Sequence, residues 1–446
     1  MLSSSSIYVT GLAAILPQTG ESDGKPARGL LDLLDGVSFL SAVDEAKQER
    51  VASVLDGSGC VAAARTFRVA GLVALDLSAE FGVDHRLCAG MDESSKLAVG
   101  AGLAALRNAG LLEPSGNRLL PEYAESTGLI FASSFPIVDS LVQQLQVDAA
   151  LSKKLLLKLT LSGSAQLAQI VGARGPNASI NAACASTTQA IGIAQDWLQL
   201  GRAQRVVVIG GDNITSEHSL PWLGAAFQQV GAVDVEHELG SLPGPFSAAR
   251  RGMVLSAGGV AVVLETEESL RARSVLTDAF CTIVATHFCN SASHGMRLDQ
   301  AHMTTELGHL IDRACKHLRV TREEIARRVI YLSHETGTNS GGPGTSCAAS
   351  EIGMLCNVFG THSRQIVVTN TKGWTGHAMG VAFEEPIAAL MLHTGLLVPL
   401  PAAEFDTALQ SVCFSRGGRH DRDLVLRFAG GFGGQIAFVL YGKCET

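Results

Sequence analysis

Basic residues are in the minority: 34 Lys and Arg stand against 42 Asp and Glu, giving a formal net charge of −8 and a pI near 5.9. That balance argues against nucleic acid as a bulk partner, because phosphate binding needs concentrated Lys and Arg. No uninterrupted apolar stretch reaches the roughly 20 residues of a membrane span. Met1–Ser6 lacks a basic region followed by an apolar core, so no secretory leader is expected. The ten cysteines contain no C-x-x-C pair, and a chain this long does not need disulfide staples. They read as free thiols of a reducing compartment, mostly small apolar core residues, and no metal site is expected. The interior lacks a Pro/Ser-rich linker, which argues for one compact unit, and the 48 glycines follow no period, which excludes collagen-like structure. The expectation is a soluble, cytoplasmic protein without a membrane anchor.

What is present is a large apolar α/β chain: 446 residues, 46% hydrophobic and 17% charged. Ile7–Leu12 predicts a first strand, and Ser94–Asn108 carries apolar residues at helical spacing before a stop at Gly110. Leu129–Phe131 reads as a short strand and Leu151–Ala173 as one helix, its Lys153, Lys154 and Lys158 interrupting leucines that could lie on a membrane surface but are expected to pack at an interface. A strand through Ser179–Asn181 leads to Cys184, and a helix should run from about Ser186 to Leu200. Val206–Ile209 and Gly258–Leu264 are near-continuous apolar runs, as strands buried on both faces require. The second part repeats the style. Val329–Leu332 delivers His334, Gln365–Val368 delivers Asn370 to His377, and Ile436–Tyr441 closes the chain. Two halves, 1–270 with Cys184 and 271–446 with both histidines, hint at a duplication.

Three loops at strand ends therefore offer Cys184, His334 and His377. Reactive groups of α/β sheets gather at the carboxyl ends of strands, so the three are expected to share one crevice. Cys184 sits just before a helix, where amide dipoles favour thiolate and an N–H can meet a developing oxyanion. Two imidazoles can donate hydrogen bonds or move protons.

The words around these residues are specific. Gly175–Ser186 (GPNASINAACAS) closely resembles the active-site cysteine motif of the β-ketoacyl synthases. His334–Thr338 (HETGT) resembles that family's first histidine motif, and Asn370–Gly380 (NTKGWTGHAMG) its lysine and second-histidine motif. Gly431–Gly434 matches the glycine-rich loop near the carboxyl end, and Pro245–Gly252 and Val9–Leu12 resemble two further landmarks, all in family order. The resemblance implies a thiolase-like fold, two similar α/β halves in five αβαβα layers, and a homodimer. It implies that Cys184 accepts an acyl group from a carrier thioester, with the backbone N–H groups of Cys184 and Phe432 as oxyanion hole. His334 and His377 would hold a malonyl-type thioester as carbon dioxide leaves, completing a decarboxylative condensation of fatty-acid or polyketide synthesis. Thr336, Thr338, Gly433 and Gly434 would contact the phosphopantetheine arm, which the acyl carrier protein substrate supplies, so no resident cofactor is expected.

Some residues depart from the family pattern. Glu335 replaces a glycine beside the first histidine, Ser247 an aspartate, and Phe383 and Pro386 a small-residue and glutamate pattern. Asn339–Cys347 reads as a loop lengthened by about six residues, which places Glu351 as the partner of Lys372. Cys347 in this loop reads as an incidental thiol. A non-condensing decarboxylase, a chain-length partner and a silent dimeric scaffold remain alternatives. A degradative thiolase does not fit, because neither Cys413 nor Cys444 is followed by x-Gly. The end of the chain close to its last strand reads as a domain of a larger synthase, with a free-standing enzyme as the other reading.

Overall fold

The computed structural model describes residues 6–18, 26–57, 66–148, 153–160, 162–273, 278–338, 346–402 and 404–444. The extended-loop reading at 339–345 lies outside them. Eleven strands position the site: β1 (Ile7–Ile15), β2 (Thr127–Ala132), β3 (Asn177–Ile180), β4 (Arg205–Asn213), β5 (Leu255–Thr266), β6 (Cys281–Asn290), β7 (Val329–Leu332), β8 (Val367–Thr369), β9 (Cys413–Phe414), β10 (Leu424–Gly431) and β11 (Gln435–Gly442). They run β9-β8-β7-β10-β11-β6-β1-β5-β4-β2-β3 across a continuous sheet. The first half has the order β3-β2-β4-β5-β1 and the second has β8-β7-β10-β11-β6, with β9 added outside.

The directions repeat as well as the order. In each half three strands are parallel, and the next two return antiparallel. The halves meet where β1 pairs antiparallel with β6, Ile7 opposite Ile283. Duplicated strand order around one antiparallel junction is what two copies of a single α/β unit produce.

The helices that matter here are α1 (Glu93–Asn108), α2 (Lys153–Thr160), α3 (Gly163–Val171), α4 (Ser186–Gln199), α5 (Gln300–Leu318), α6 (Cys347–Phe359) and α7 (Glu384–Thr394). α4 and α7 lie between the two half-sheets and touch strands of both. α1 and α3 cover the outside of the first half, and α5 and α6 the outside of the second, which gives five layers. The strands show why. Val206 and Val208 of β4 face the central layer with Ile191, Ala194 and Ile387, whereas Val207 and Ile209 face α1 through Leu97 and Leu103. A strand buried on both faces has no polar alternation to display, hence the continuous apolar runs.

One expectation changes. The predicted helix at 151–173 is two helices, with Ser162 at the amino end of α3 ahead of Gly163. Three leucines of α2, Leu156, Leu157 and Leu159, are exposed, while Leu155 is half-buried. The nine described cysteines carry free thiols. Among the described residues no helix is long and apolar enough to cross a membrane.

Candidate active site

Cys184 follows β3 and precedes α4. The turn is built by short-range hydrogen bonds: Ser186 Oγ accepts from the Ala182 N–H at 2.9 Å and donates to the Ala183 carbonyl at 2.6 Å. Asn181 Oδ1 accepts from the Ala183 N–H at 3.1 Å. These contacts hold Ala183 at φ 49°, a left-handed conformation that costs a non-glycine residue free energy and lifts the next side chain out of the turn. Met379, two residues after His377, is held likewise at φ 52°.

His334 leaves the end of β7 and His377 lies between β8 and α7, so loops at the carboxyl ends of β3, β7 and β8 converge as topology predicts. His377 Nε2 lies 3.2 Å from Cys184 Sγ. The two imidazoles meet edge to face, centroids 5.5 Å apart at 84°. Cys184, His334 and His377 each offer an atom within 4.8 Å of the other two. One cavity is lined by this trio and by Phe227, Met253, Leu298, Met379 and Phe432, with Thr336, Thr338 and Cys347 on its polar side. The Thr336 and Thr338 hydroxyls hydrogen-bond each other at 2.9 Å.

Gly433 and Gly434 do not border the trio directly. They form the left-handed turn of the β10–β11 hairpin, at φ 78° and 75°, and are fastened to the 290–295 loop: Gly433 N–H donates to the Gly295 carbonyl at 2.8 Å. Gly430 and Gly431 line the cavity instead. A Cβ at Gly431 would sit 2.5 Å from the Ala182 carbonyl oxygen and 3.2 Å from Cys184 N. Only glycine lets the strand end approach the cysteine turn. Gly431→Ala should therefore displace Cys184 and lower turnover about 100-fold, the order that a misplacement near 1 Å costs. Turnover within twofold of the parent would show that the approach is dispensable.

Lys372 corrects the sequence reading. Its Nζ pairs with Glu384 Oε1 at 2.5 Å, not with Glu351. Glu384 also accepts from Thr371 Oγ1 at 2.9 Å and pairs with Arg427 Nη2 at 3.3 Å. Arg427 donates to the Ser333 carbonyl at 2.9 Å, so the ion cluster grips the loop that carries His334. Asn370 Nδ2 donates to the Ser333 and Glu335 carbonyls at 3.2 and 2.9 Å and tightens the same grip. Glu351 has another task. Its Oε2 accepts from Tyr331 OH at 2.8 Å, Ser333 Oγ at 2.7 Å and His334 N–H at 3.1 Å, fixing the backbone at the histidine. The Cys347 thiol donates to Glu351 Oε1 at 3.1 Å.

Glu335 is wholly buried and turned away from the cavity, toward Arg250 Nε at 3.4 Å and the Gly337 N–H at 3.0 Å. Burial pushes its carboxyl up to about 7 although Arg250 pulls the other way. Phe383 fills space that Gly258 leaves open: a Cβ at Gly258 would lie 2.4 Å from the Phe383 ring. Ser247 is buried at the foot of Arg250, accepting Nη1 on its carbonyl at 2.6 Å.

Sequence reasoning passed over Asp212. It is fully buried and accepts from Ser133 Oγ at 2.6 Å, Phe135 N–H at 2.9 Å and Gly380 N–H at 2.8 Å, tying the end of β2 to the His377 loop. Burial raises its carboxyl to about 6 against those hydrogen bonds. The available signal was an acid directly after the apolar β4 run and Gly210-Gly211.

The electrostatics overturn one expectation. Burial, not the helix end, dominates at Cys184 and pushes its thiol up to about 12. Burial and the Lys372 ammonium bring His377 down to about 3 and hold His334 well below its usual range. The resting pair is therefore thiol and neutral imidazole, and deprotonation must accompany attack, with His377 Nε2 in place to accept. Alkylation of Cys184 by iodoacetamide should keep rising with pH up to about 10, with no plateau near the ordinary thiol range. A plateau below pH 8 would mean a preformed thiolate. For stability the sign is that of a depressed base. The unfolded chain binds more protons between about 3 and 6.5, so the contribution of His377 is present above 6.5 and is lost as pH falls toward 3.

Residues 4–269 match the family model described as "Beta-ketoacyl synthase, N-terminal domain", more than half of the chain. Nodulation protein E of Rhizobium meliloti (strain 1021) is 29% identical over 343 residues, 75% of this chain and 78% of that protein. 3-Oxoacyl-[acyl-carrier-protein] synthase 1 of Haemophilus influenzae is 26% identical over 436 residues, 92% of this chain and 98% of its own. A crystal structure of a β-ketoacyl synthase from Burkholderia phymatum STM815 superposes with a TM-score of 0.77 at 19% identity, covering 99% of this chain and all of that one. The five-layer architecture is thus the thiolase-like fold, and the chain belongs to the β-ketoacyl synthase family.

Proposed function

We propose that this chain is an acyltransferase that condenses an acyl group on Cys184 with a malonyl-type acyl carrier protein thioester, releasing carbon dioxide, in fatty-acid or polyketide synthesis. The observation that carries the reading is His377 Nε2 at 3.2 Å from Cys184 Sγ in the cavity that His334 also lines. Attack of Sγ on the incoming thioester expels the carrier thiol, and the Cys184 proton passes through His377. Cys184 and Phe432 supply backbone N–H groups to the oxyanion. The malonyl-type unit then loses carbon dioxide, its enolate oxygen held by the neutral imidazoles of His334 and His377. The enolate carbon attacks the acyl-cysteine, and Sγ leaves as the new C–C bond forms. Neutral donors suit this step because an imidazolium would hand its proton to the enolate instead of stabilising it.

In this reading Thr336 and Thr338, which line the cavity, meet the amides of the pantetheine arm that the carrier supplies. The Haemophilus relative carries acyl carrier protein in its name, which supports that partner. Homodimerisation is supported by β3, an outer strand of the sheet whose residues are half-buried or exposed, since an uncovered edge is a template for pairing with a second copy. The acidic balance and free thiols suit the cytoplasm. Incubation with a short acyl thioester, followed by peptide mass mapping, should place one acyl group on Cys184. An adduct on Cys347 instead, or none on either, would contradict the assignment.

A further inference from the structure

Away from the catalytic cavity, β6 and α5 bring His287, Cys289 and Glu306 together, with His302 and His309 flanking them. His287 and Cys289 alternate along the strand and so share a face, and His302, Glu306 and His309 lie four and three residues apart along one face of the helix. His287, Cys289 and Glu306 each offer one ligand atom within 4.8 Å of the other two. His287 Nε2 is 2.5 Å from Glu306 Oε2, and Cys289 Sγ is 3.6 Å from His302 Nε2. His302 Nδ1 is 3.9 Å from Glu306 Oε1. His309 Nδ1 stands behind the carboxylate, 3.4 Å from Oε2. His287, Glu306 and His302 are half-buried, with side-chain exposures of 20%, 15% and 29%, reachable by an ion and sheltered from bulk water, whereas His309 is exposed.

We propose that Cys289, His302, His287 and Glu306 form a binding site for a thiophilic divalent cation of the zinc class. The donor set is a borderline-soft one, a thiolate, two imidazoles and a carboxylate, which suits Zn²⁺ over Mg²⁺ or Ca²⁺. Around a tetrahedral Zn²⁺, bonds of about 2.3 Å to sulfur and 2.0–2.1 Å to nitrogen put the two donors about 3.6 Å apart. The Cys289–His302 pair already has that spacing. On binding, the Cys289 thiol proton leaves to solvent and a metal–sulfur bond forms. His287 presents its Nε2 lone pair with its proton on Nδ1, and the His287–Glu306 contact opens toward the spacing of two ligands. His309 remains a hydrogen-bond partner of the ligating carboxylate.

The position gives the site a consequence for the cavity. Cys289 and His302 bracket residues 290–301, the segment whose Met296, Arg297 and Leu298 line the catalytic cavity. The same segment is pinned to the β10–β11 turn, where Ser291 N–H donates to the Gly434 carbonyl at 2.9 Å and Asn290 Nδ2 to the Gly433 carbonyl at 2.7 Å. A bound cation closes this loop at its base and fixes one wall of the acyl cavity.

Cobalt(II), a spectroscopic stand-in for zinc, tests the site in the full chain. One equivalent should give thiolate-to-cobalt charge transfer and the visible bands of a tetrahedral centre, and zinc should displace it. The spectrum should survive in Cys184→Ala, which removes the catalytic trio as a competing site, and cobalt should bind at least about tenfold more weakly in Cys289→Ser and His302→Gln. Circular dichroism of these variants without metal checks that they fold. Zinc should also slow trypsin cleavage after the exposed Arg297 several-fold relative to chelator. A spectrum lost in Cys184→Ala and kept in Cys289→Ser would overturn the proposal, as would no cobalt–thiolate band in the parent. Cleavage insensitive to zinc would overturn the closing of the loop.

Discussion

Cys184→Ala should lower condensation by at least about 10⁴-fold, the scale on which removal of a covalent nucleophile acts. The melting temperature should hardly change. The thiol is a small side chain lining the cavity, and its replacement leaves neither a buried charge nor a large void. On the proposed mechanism decarboxylation of the malonyl-type carrier should persist, because holding the enolate falls to His334 and His377 and not to the sulfur. Quantifying acetyl and β-ketoacyl carrier in one reaction checks both halves. Parallel loss of decarboxylation and condensation would mean that Cys184 shapes the enolate site as well as carrying the acyl group.

Glu384→Ala is the second large effect, and it acts on stability first. The carboxylate is buried beneath Lys372 and Arg427, whose charges, against the cost of burial, hold it down at about 2. Removing it leaves an ammonium and a guanidinium buried together with too little negative charge, a loss on the order of 3–5 kcal/mol. Glu385 compensates only in part. It sits 3.6 Å from Arg427 Nε and is already engaged by Thr188 and Tyr441. Glu384→Gln keeps the shape but not the charge and should fall between the parent and Glu384→Ala. Urea unfolding of the three proteins gives the ranking directly. A midpoint for Glu384→Ala equal to that of the parent would show that Glu385 carries the cluster by itself. Because Arg427 also grips the Ser333 carbonyl, the same variants should loosen His334 and lower turnover beyond what the lost stability explains.

Much of this architecture is legible in the chain because it depends on local signals. Val206–Ile209 reads as a strand buried on both faces, and it is one, since two-sided burial removes polar alternation. Cys184, His334 and His377 sit at predicted strand ends because parallel sheets put their crevices there. The partner of Lys372 was not legible. Counting along a loop of unusual length pointed to Glu351, whereas the ammonium meets Glu384 on the first turn of a helix twelve residues on. Two adjacent acids opening an apolar helix were a usable signal, because Glu384 and Glu385 are buried there only by virtue of Lys372, Arg427, Thr188 and Tyr441. The protonation state of Cys184 was hidden too, since helix position favours thiolate and only the packed cavity reveals the opposing desolvation. The break between α2 and α3, and the exposure of Leu156, Leu157 and Leu159, are tertiary facts that no periodicity encodes.

The most direct test of condensation is the intact mass of an acyl carrier protein after incubation with this chain, a short acyl thioester and malonyl-carrier. The expected product is a carrier bearing a lengthened β-ketoacyl group, absent when Cys184→Ala replaces the parent. Acetyl-carrier alone, formed equally by parent and variant, would contradict condensation and make the protein a decarboxylase.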